Sequence, residues 1–333
     1  MFTRPMQCFT VLLLLLLAVP QVDAIERGEL SSEEIGRAVP FAVLIPDVEP
    51  AEKLPLVLLL HGAGGDREYV AQLEPSIREL WQSGELPPVV FASASVPAGT
   101  IYMDEKSGNA KWESFMMKEF LPHVQQSYPV LASREATIVT GISMGGGGSA
   151  RFAFKYPDVF GAVAIMEAAI WPGVTWDEVP RRHKFRQPER LAALFGEPFD
   201  ESYWRANNPA SIVADNAARI RDSGLEIYLE CGDQDAFGLH EGAEYLHRVL
   251  WDNRIEHEYR LVRWADHVGS SVPDRSLNRF RFIARYLAQP TPEEPGVEGL
   301  RNYKKTEYRK MGYETLPFWP NEAKSLTSEE SSP

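Results

Sequence analysis

Three observations predict an α/β fold built on a mostly parallel central sheet with helices on both faces. Short apolar runs rich in branched residues recur along the chain, helix-length amphipathic stretches separate most of them, and the connections are short. A strand apolar at every position, not only at alternate ones, is buried on both faces, which is what a parallel sheet with crossover helices provides. Short connections favour one domain over two. With 333 residues, 44% hydrophobic and 24% charged, the chain is large enough to bury a full core.

The first residues stand outside that pattern. Arg4 precedes an apolar stretch from Phe9 to about Val19, and Val22-Asp23-Ala24 offers a small-residue cleavage site, so residues 1–24 read as a secretory signal peptide. The stretch is shorter than the roughly 20 residues that span a bilayer, so no stable membrane insertion is expected after cleavage. Cys8 leaves with this segment. Cys231 is then the single thiol, and an internal disulfide is excluded.

Residues 25–289 carry the expected domain. Its strands are Phe41–Ile45, Leu56–Leu60, Val89–Ala92, Thr137–Thr140, Ala162–Met166, Ile227–Glu230 and Tyr259–Val262. Its main helices are Tyr69–Gln82, Trp112–Tyr128, Met144–Tyr156, Leu239–Asn253 and Pro273–Leu287. From Ile170 to Ser211 the alternation fails: this stretch is rich in Trp, Pro, Arg and Phe, with short helices expected only at Glu189–Phe195 and Asp200–Ala206. So long an interruption is a small cap over a site or a peripheral excursion. Residues 290–333 turn to Pro, Glu, Lys and Ser and read as a largely extended tail, with Tyr303, Tyr308, Tyr313, Phe318 and Trp319 as anchoring points.

A formal charge of −13 excludes a polyanion partner, because nucleic acid binding requires clustered Lys and Arg to displace counterions. Cofactor and metal motifs are also missing. Gly141–Gly148 closes with no Gly-Lys-Ser or Gly-Lys-Thr, Gly62–Gly65 lacks dinucleotide spacing, and His240-Glu241 has no histidine four positions after His240.

The chemistry gathers at strand ends. Thr137-Ile138-Val139-Thr140 runs into Gly141-Ile142-Ser143-Met144-Gly145 and then into a helix, a strand-turn-helix that exposes a serine at a tight turn. Ser143 is the candidate nucleophile. A serine hydroxyl needs a histidine to remove its proton and a carboxylate to orient that histidine. Asp235, in the loop after Ile227–Glu230, is the candidate acid; Asp233 in the same loop and Glu167 beyond Ala162–Met166 are the alternatives, and either aspartate could instead cap the next helix. Of seven histidines, His267 lies after the last strand and before the last helix, where the base belongs, while His240 is a candidate for lining the cleft. The order Ser143, Asp235, His267 is the nucleophile, acid, base order of α/β-hydrolases. Leu58-Leu59-Leu60-His61-Gly62-Ala63-Gly64-Gly65 supplies an apolar strand running into a glycine-rich loop, so the Ala63 and Met144 amides are the candidate oxyanion donors, with His61 bracing the loop. Trp264, three residues before His267, is the tryptophan placed to meet a flat substrate face; the other tryptophans read as core or cap.

With these motifs the chain resembles the esterase D type branch of the α/β-hydrolase superfamily, which includes S-formylglutathione hydrolases and the feruloyl and acetylxylan esterases. The resemblance covers about Val39 to Leu287. It rests on His61-Gly62-Ala63-Gly64-Gly65, Trp112-Glu113-Ser114-Phe115, Gly141-Ile142-Ser143-Met144-Gly145-Gly146, Cys231-Gly232-Asp233-Gln234-Asp235 and the His267 loop, with Leu194-Phe195-Gly196, Trp204 and Asn208-Pro209-Ala210 between elbow and acid. It implies an α/β-hydrolase fold and triad roles for Ser143, Asp235 and His267. The tail and the export signal depart from the cytosolic glutathione enzymes. The expectation is an exported serine esterase, without cofactor, acting on small-molecule or polysaccharide esters such as acetyl or feruloyl groups. The alternatives are acyl transfer by the same triad and a non-catalytic binding protein on a hydrolase frame.

Overall fold

The computed structural model describes residues 25–48, 53–184, 188–288 and 295–312. The expected signal peptide at residues 1–24 lies outside them, as do Tyr313, Phe318 and Trp319 of the tail. Strands β1 (Ile25–Ser32), β2 (Arg37–Leu44), β3 (Leu56–Leu60), β4 (Val90–Ala94), β5 (Thr137–Ile142), β6 (Ala162–Met166), β7 (Glu226–Gly232) and β8 (Glu258–Val262) form one sheet in the order β1-β2-β4-β3-β5-β6-β7-β8. Pairing is antiparallel for β1 with β2 and β2 with β4, and parallel from β4 across to β8. The mostly parallel α/β fold expected from the sequence is therefore borne out.

The helices are α1 (Tyr69–Ser83), α2 (Trp112–Ser114), α3 (Leu121–Ser127), α4 (Met144–Lys155), α5 (Pro188–Phe195), α6 (Glu201–Arg205), α7 (Pro209–Ser223), α8 (Leu239–Asp252), α9 (Val272–Leu287) and α10 (Pro295–Lys310). A π-helical turn, Phe115–Phe120, joins α2 to α3. Pro122, with no amide hydrogen to donate, stands at the start of α3, and the Leu121 amide reaches back to the Met116 carbonyl.

Alternate residues of the central strands enter opposite layers. Leu56, Leu58 and Leu60 pack with Val124, Phe152 and Leu246 on the face covered by α3, α4, α7 and α8. Val57 and Leu59 pack with Val70, Ile77, Phe280 and Ile283 on the face covered by α1 and α9. Each fully buried side chain of this kind contributes about 1.5–3 kcal/mol, so the all-apolar reading of β3 is what seats it at the centre of the sheet. Parallel order also brings the carboxyl ends of β3, β5, β6, β7 and β8 to one edge, where ligand sites of open parallel sheets form.

Three expectations need correction. β1 was not expected as a strand: Ile25-Glu26-Arg27-Gly28-Glu29-Leu30 is an edge segment with solvent on much of its surface, and lacks the continuous apolar run of a central strand. α7 was also unexpected; inside it Asn216 departs from helical dihedrals. The extended reading of residues 290–333 is corrected over Pro295–Lys310, which is helical. Its Leu300 and Tyr303 are exposed; low apolar content spoke against packing but not against helix in a stretch rich in Lys, Arg and Glu.

Candidate active site

Ser143 sits between β5 and α4 with φ 58° and ψ −116°, a conformation costly for a residue with a side chain. Its backbone is clamped: its amide donates to the Met166 carbonyl at 3.0 Å, and its carbonyl accepts the Ala169 and Gly147 amides, each at 3.0 Å. The flanking glycines are demanded by close approach. A Cβ at Gly141 would lie 2.3 Å from the Gly145 oxygen, and one at Gly145 would lie 2.2 Å from the Leu60 oxygen. The serine hydroxyl is thus presented at the tip of the elbow while β5, α4 and β3 meet behind it.

Loops after β7 and β8 complete the row. His267 Nε2 lies 3.0 Å from Ser143 Oγ, and His267 Nδ1 lies 2.7 Å from Asp235 Oδ2. The ring therefore donates from Nδ1 to the carboxylate and presents a free Nε2 to the hydroxyl. Burial works to raise the Asp235 pKa, but hydrogen bonds from His267 and from the Leu239 and Phe237 amides outweigh it and hold the group below its ordinary value. Asp235 also caps α8 through Oδ1, which accepts the Phe237 amide at 2.8 Å and the Leu239 amide at 3.3 Å.

The two alternative acids have other work. Asp233 Oδ1 accepts the Trp264 amide at 2.6 Å, while Asp266 Oδ1 accepts the Ala236 amide at 2.9 Å, so the acid and base loops brace each other reciprocally. Glu167 is fully buried with φ 46°. It accepts the Gly232 amide and the Cys231 thiol, each at 2.9 Å, and forms an ion pair with Arg275, which donates to the Asp266 carbonyl at 2.6 Å. Ligand-type atoms of Glu167, Asp235 and His267 lie within 4.8 Å of one another, yet these bonds already engage all three residues.

Ala63 and Met144 both border the cavity next to Ser143. Met144 opens α4, where first-turn amides lack intrahelical acceptors and the helix end carries partial positive charge. His61 braces the other loop: its Nε2 accepts the Val96 amide at 3.1 Å and its Nδ1 donates to the Gly62 carbonyl at 2.8 Å. Burial lowers its pKa, so the ring stays neutral in this role.

The cavity at Ser143 measures about 760 Å³. Trp264, Glu167 and His240, named from sequence as cleft candidates, are not among its lining residues. Trp264 points to solvent at 74% exposure, Glu167 is committed beneath the loops, and the described wall turns past His240 at Leu239. The aromatic surface comes instead from Trp171 and from Phe237, whose ring meets His267 edge-on at 4.8 Å. Adjacency was the available signal for Phe237, two residues after Asp235. The Ile170–Ser211 segment is a cap: Ile170, Trp171, His183 and Arg190 face the cavity, and Trp171 packs edge-on against Phe195 and Trp204 behind it.

The model of a family described as putative esterase matches residues 32–284. The acetyl esterase of Caldicellulosiruptor saccharolyticus is 24% identical over 192 residues, 56% of this chain and 67% of that protein. The iron(III) enterobactin esterase of Escherichia coli K12 is 27% identical over 157 residues, 46% of this chain but only 38% of that protein. Among solved structures, a ferulic acid esterase superposes with a TM-score of 0.65 at 21% identity, covering 79% of this chain and 98% of that one. An S-formylglutathione hydrolase from Agrobacterium tumefaciens gives a TM-score of 0.64 at 20% identity, covering 79% and 95%. These structures share the fold, and the resemblance drawn from the motifs is borne out.

Proposed function

This chain belongs to the esterase family, and on that premise we propose that it is an exported serine esterase hydrolysing carboxylic esters through an acyl-enzyme. One observation carries the reading: His267 bridges Ser143 and Asp235 at 3.0 and 2.7 Å, with two candidate oxyanion donors beside the serine. His267 Nε2 takes the serine proton as Oγ attacks the ester carbonyl. The Ala63 and Met144 amides hold the oxyanion of the tetrahedral intermediate, and His267 then protonates the leaving alcohol. Water repeats the cycle on the acyl-enzyme, with Asp235 orienting the imidazole and stabilising its cation throughout.

The apolar segment and cleavage site within residues 1–24 support export, and no helix among the described residues is long and apolar enough to cross a membrane. An aromatic-walled cavity supports acyl groups with a flat face, in keeping with feruloyl esters of polysaccharides, and leaves room for acetyl esters. The test is p-nitrophenyl acetate hydrolysis by the mature chain and by Ser143→Ala, with fluorophosphonate labelling mapped by mass spectrometry. Hydrolysis lost in the variant and label on Ser143 are expected; equal rates, or label elsewhere, overturn the mechanism.

A further inference from the structure

Among the described residues that line the cavity, Arg190 is the one Arg, Lys, Asp or Glu, in a protein of formal charge −13. Arg181, Arg182 and Lys184 lie near it in the sequence. Their surroundings separate them. Arg182 is paired with Glu241, and Lys184 sits over the Trp176 ring at 4.9 Å. Arg190 has no hydrogen-bond acceptor or ion-pair partner among the described residues. It borders the same cavity as Ser143, lying so close to Gly99 that a Cβ there would fall 2.6 Å from the Arg190 Cζ.

The rest of the lining leaves that charge unanswered. Among the described residues, no Asp or Glu lines the cavity. His183, its other polar cap residue, is bonded to Glu241 at 2.8 Å, and Glu241 is itself held by Arg182. A guanidinium keeps its charge at any physiological pH and carries five donors in a planar fork matched to a carboxylate. Ile101, Ile170, Trp171 and Leu239 line the same space with apolar surface, while Arg190 itself is exposed, so a charge contact to it is strengthened only in part.

We propose that Arg190 is a specificity-determining residue that receives a carboxylate borne by the substrate, so that the preferred esters are anionic. The proposal rests on the esterase reading of Ser143 and names the class of ester that site takes. The apolar wall holds the carbon skeleton while the guanidinium fixes its charged end, which orients the ester carbonyl toward Ser143.

Two matched pairs of esters test it on the mature chain. In the acyl-side pair, p-nitrophenyl hydrogen glutarate is compared with p-nitrophenyl 4-carbamoylbutanoate; in the alcohol-side pair, 3-carboxyphenyl acetate is compared with 3-carbamoylphenyl acetate. For one pair the wild type is expected to favour the charged ester on the order of tenfold in kcat/KM, through KM, the size of one charge-assisted contact in a half-open site. That ratio should fall to about one in Arg190→Gln, return in part in Arg190→Lys, and shrink as ionic strength rises. The pair that responds tells whether the charge sits on the acid or the alcohol portion. Wild-type ratios near one in both pairs, or a ratio unchanged in Arg190→Gln, overturn the proposal while Ser143-dependent hydrolysis of the neutral esters leaves the esterase reading standing. No hydrolysis of any of the four removes that reading and the proposal with it.

Discussion

Asp235 gives one carboxylate oxygen to His267 at 2.7 Å and the other to the helix behind it, where the Phe237 amide bonds at 2.8 Å. Opposite edges of one side chain are thus placed for the two roles open to this residue from sequence, triad acid and helix cap. They separate by substitution. Asp235→Asn keeps an oxygen for the amides but no longer fixes the required His267 tautomer, so kcat should fall on the order of 10³ to 10⁴-fold with thermal stability nearly unchanged. Asp235→Ala should lose as much activity and about 1 kcal/mol of stability besides. Asp233→Asn retains an acceptor for the Trp264 amide and should cost less than about tenfold, the change expected from a bond that braces a loop. Steady-state kinetics with chemical denaturation decides this, and an Asp233→Asn defect larger than that of Asp235→Asn would move the acid by two residues.

The Glu167–Arg275 ion pair predicts a different signature. Both side chains are buried, and together they fasten Gly232 below the acid loop and Asp266 beside the base. Glu167→Gln leaves Arg275 only the more distant Glu230 carboxylate, 3.9 Å away, which costs up to about 3–5 kcal/mol, and loosens the base loop, so kcat should drop while KM changes little. Glu167→Gln with Arg275→Met removes both charges and should recover much of the stability but not the rate. Full recovery of both would show that the pair only supports folding.

How far the sequence reached depended on whether the deciding interactions were local. Ser143, Asp235 and His267 were legible because each follows an apolar strand in the required chain order, and a parallel sheet gathers strand ends whatever lies between. The Glu167–Arg275–Asp266 brace was not legible, since it depends on a buried Glu167–Arg275 contact across 108 positions that no spacing announces. Tryptophan placement failed for the same reason: proximity to His267 favoured Trp264, whereas the fold of the cap brings Trp171 to the cavity. The edge strand β1 was missed because its polar, solvent-facing positions interrupt any apolar run.

Glu230 makes folding stability fall as pH rises. Burial pushes its pKa up to about 7 from 4.5, against the opposing effects of the Tyr228 hydroxyl and the Arg260 and Arg279 charges. Between those two values the folded chain holds a proton that the unfolded chain releases, so this group's destabilising effect begins near pH 4.5 and is complete above about pH 7. At about 1.4 kcal/mol per pKa unit the effect is on the order of 3 kcal/mol. Glu230→Gln keeps an acceptor for Tyr228 and cannot ionise. Relative to wild type it should be more stable at pH 8 by that order and by far less at pH 5, as urea denaturation at the two pH values would reveal; an equal change at both would contradict the assignment.

Trp171 and Trp264 should respond oppositely to truncation. Trp171 is 5% exposed, borders the cavity, and packs edge-on against Phe195 at 5.7 Å and Trp204 at 6.2 Å. Trp171→Ala opens a void in the cap and should cost about 3–5 kcal/mol, so the milder Trp171→Phe is needed to read function. That variant keeps an aromatic face with less area and should raise KM for aryl-acyl esters several-fold more than for acetyl esters, with kcat less affected. Trp264 is 74% exposed and takes part in the loop brace through its backbone amide, which Trp264→Ala retains. Its stability should stay within about 0.5 kcal/mol of wild type and its KM should be unchanged for both esters. A KM defect in Trp264→Ala matched by none in Trp171→Phe would return the substrate face to the base loop, where sequence proximity first placed it.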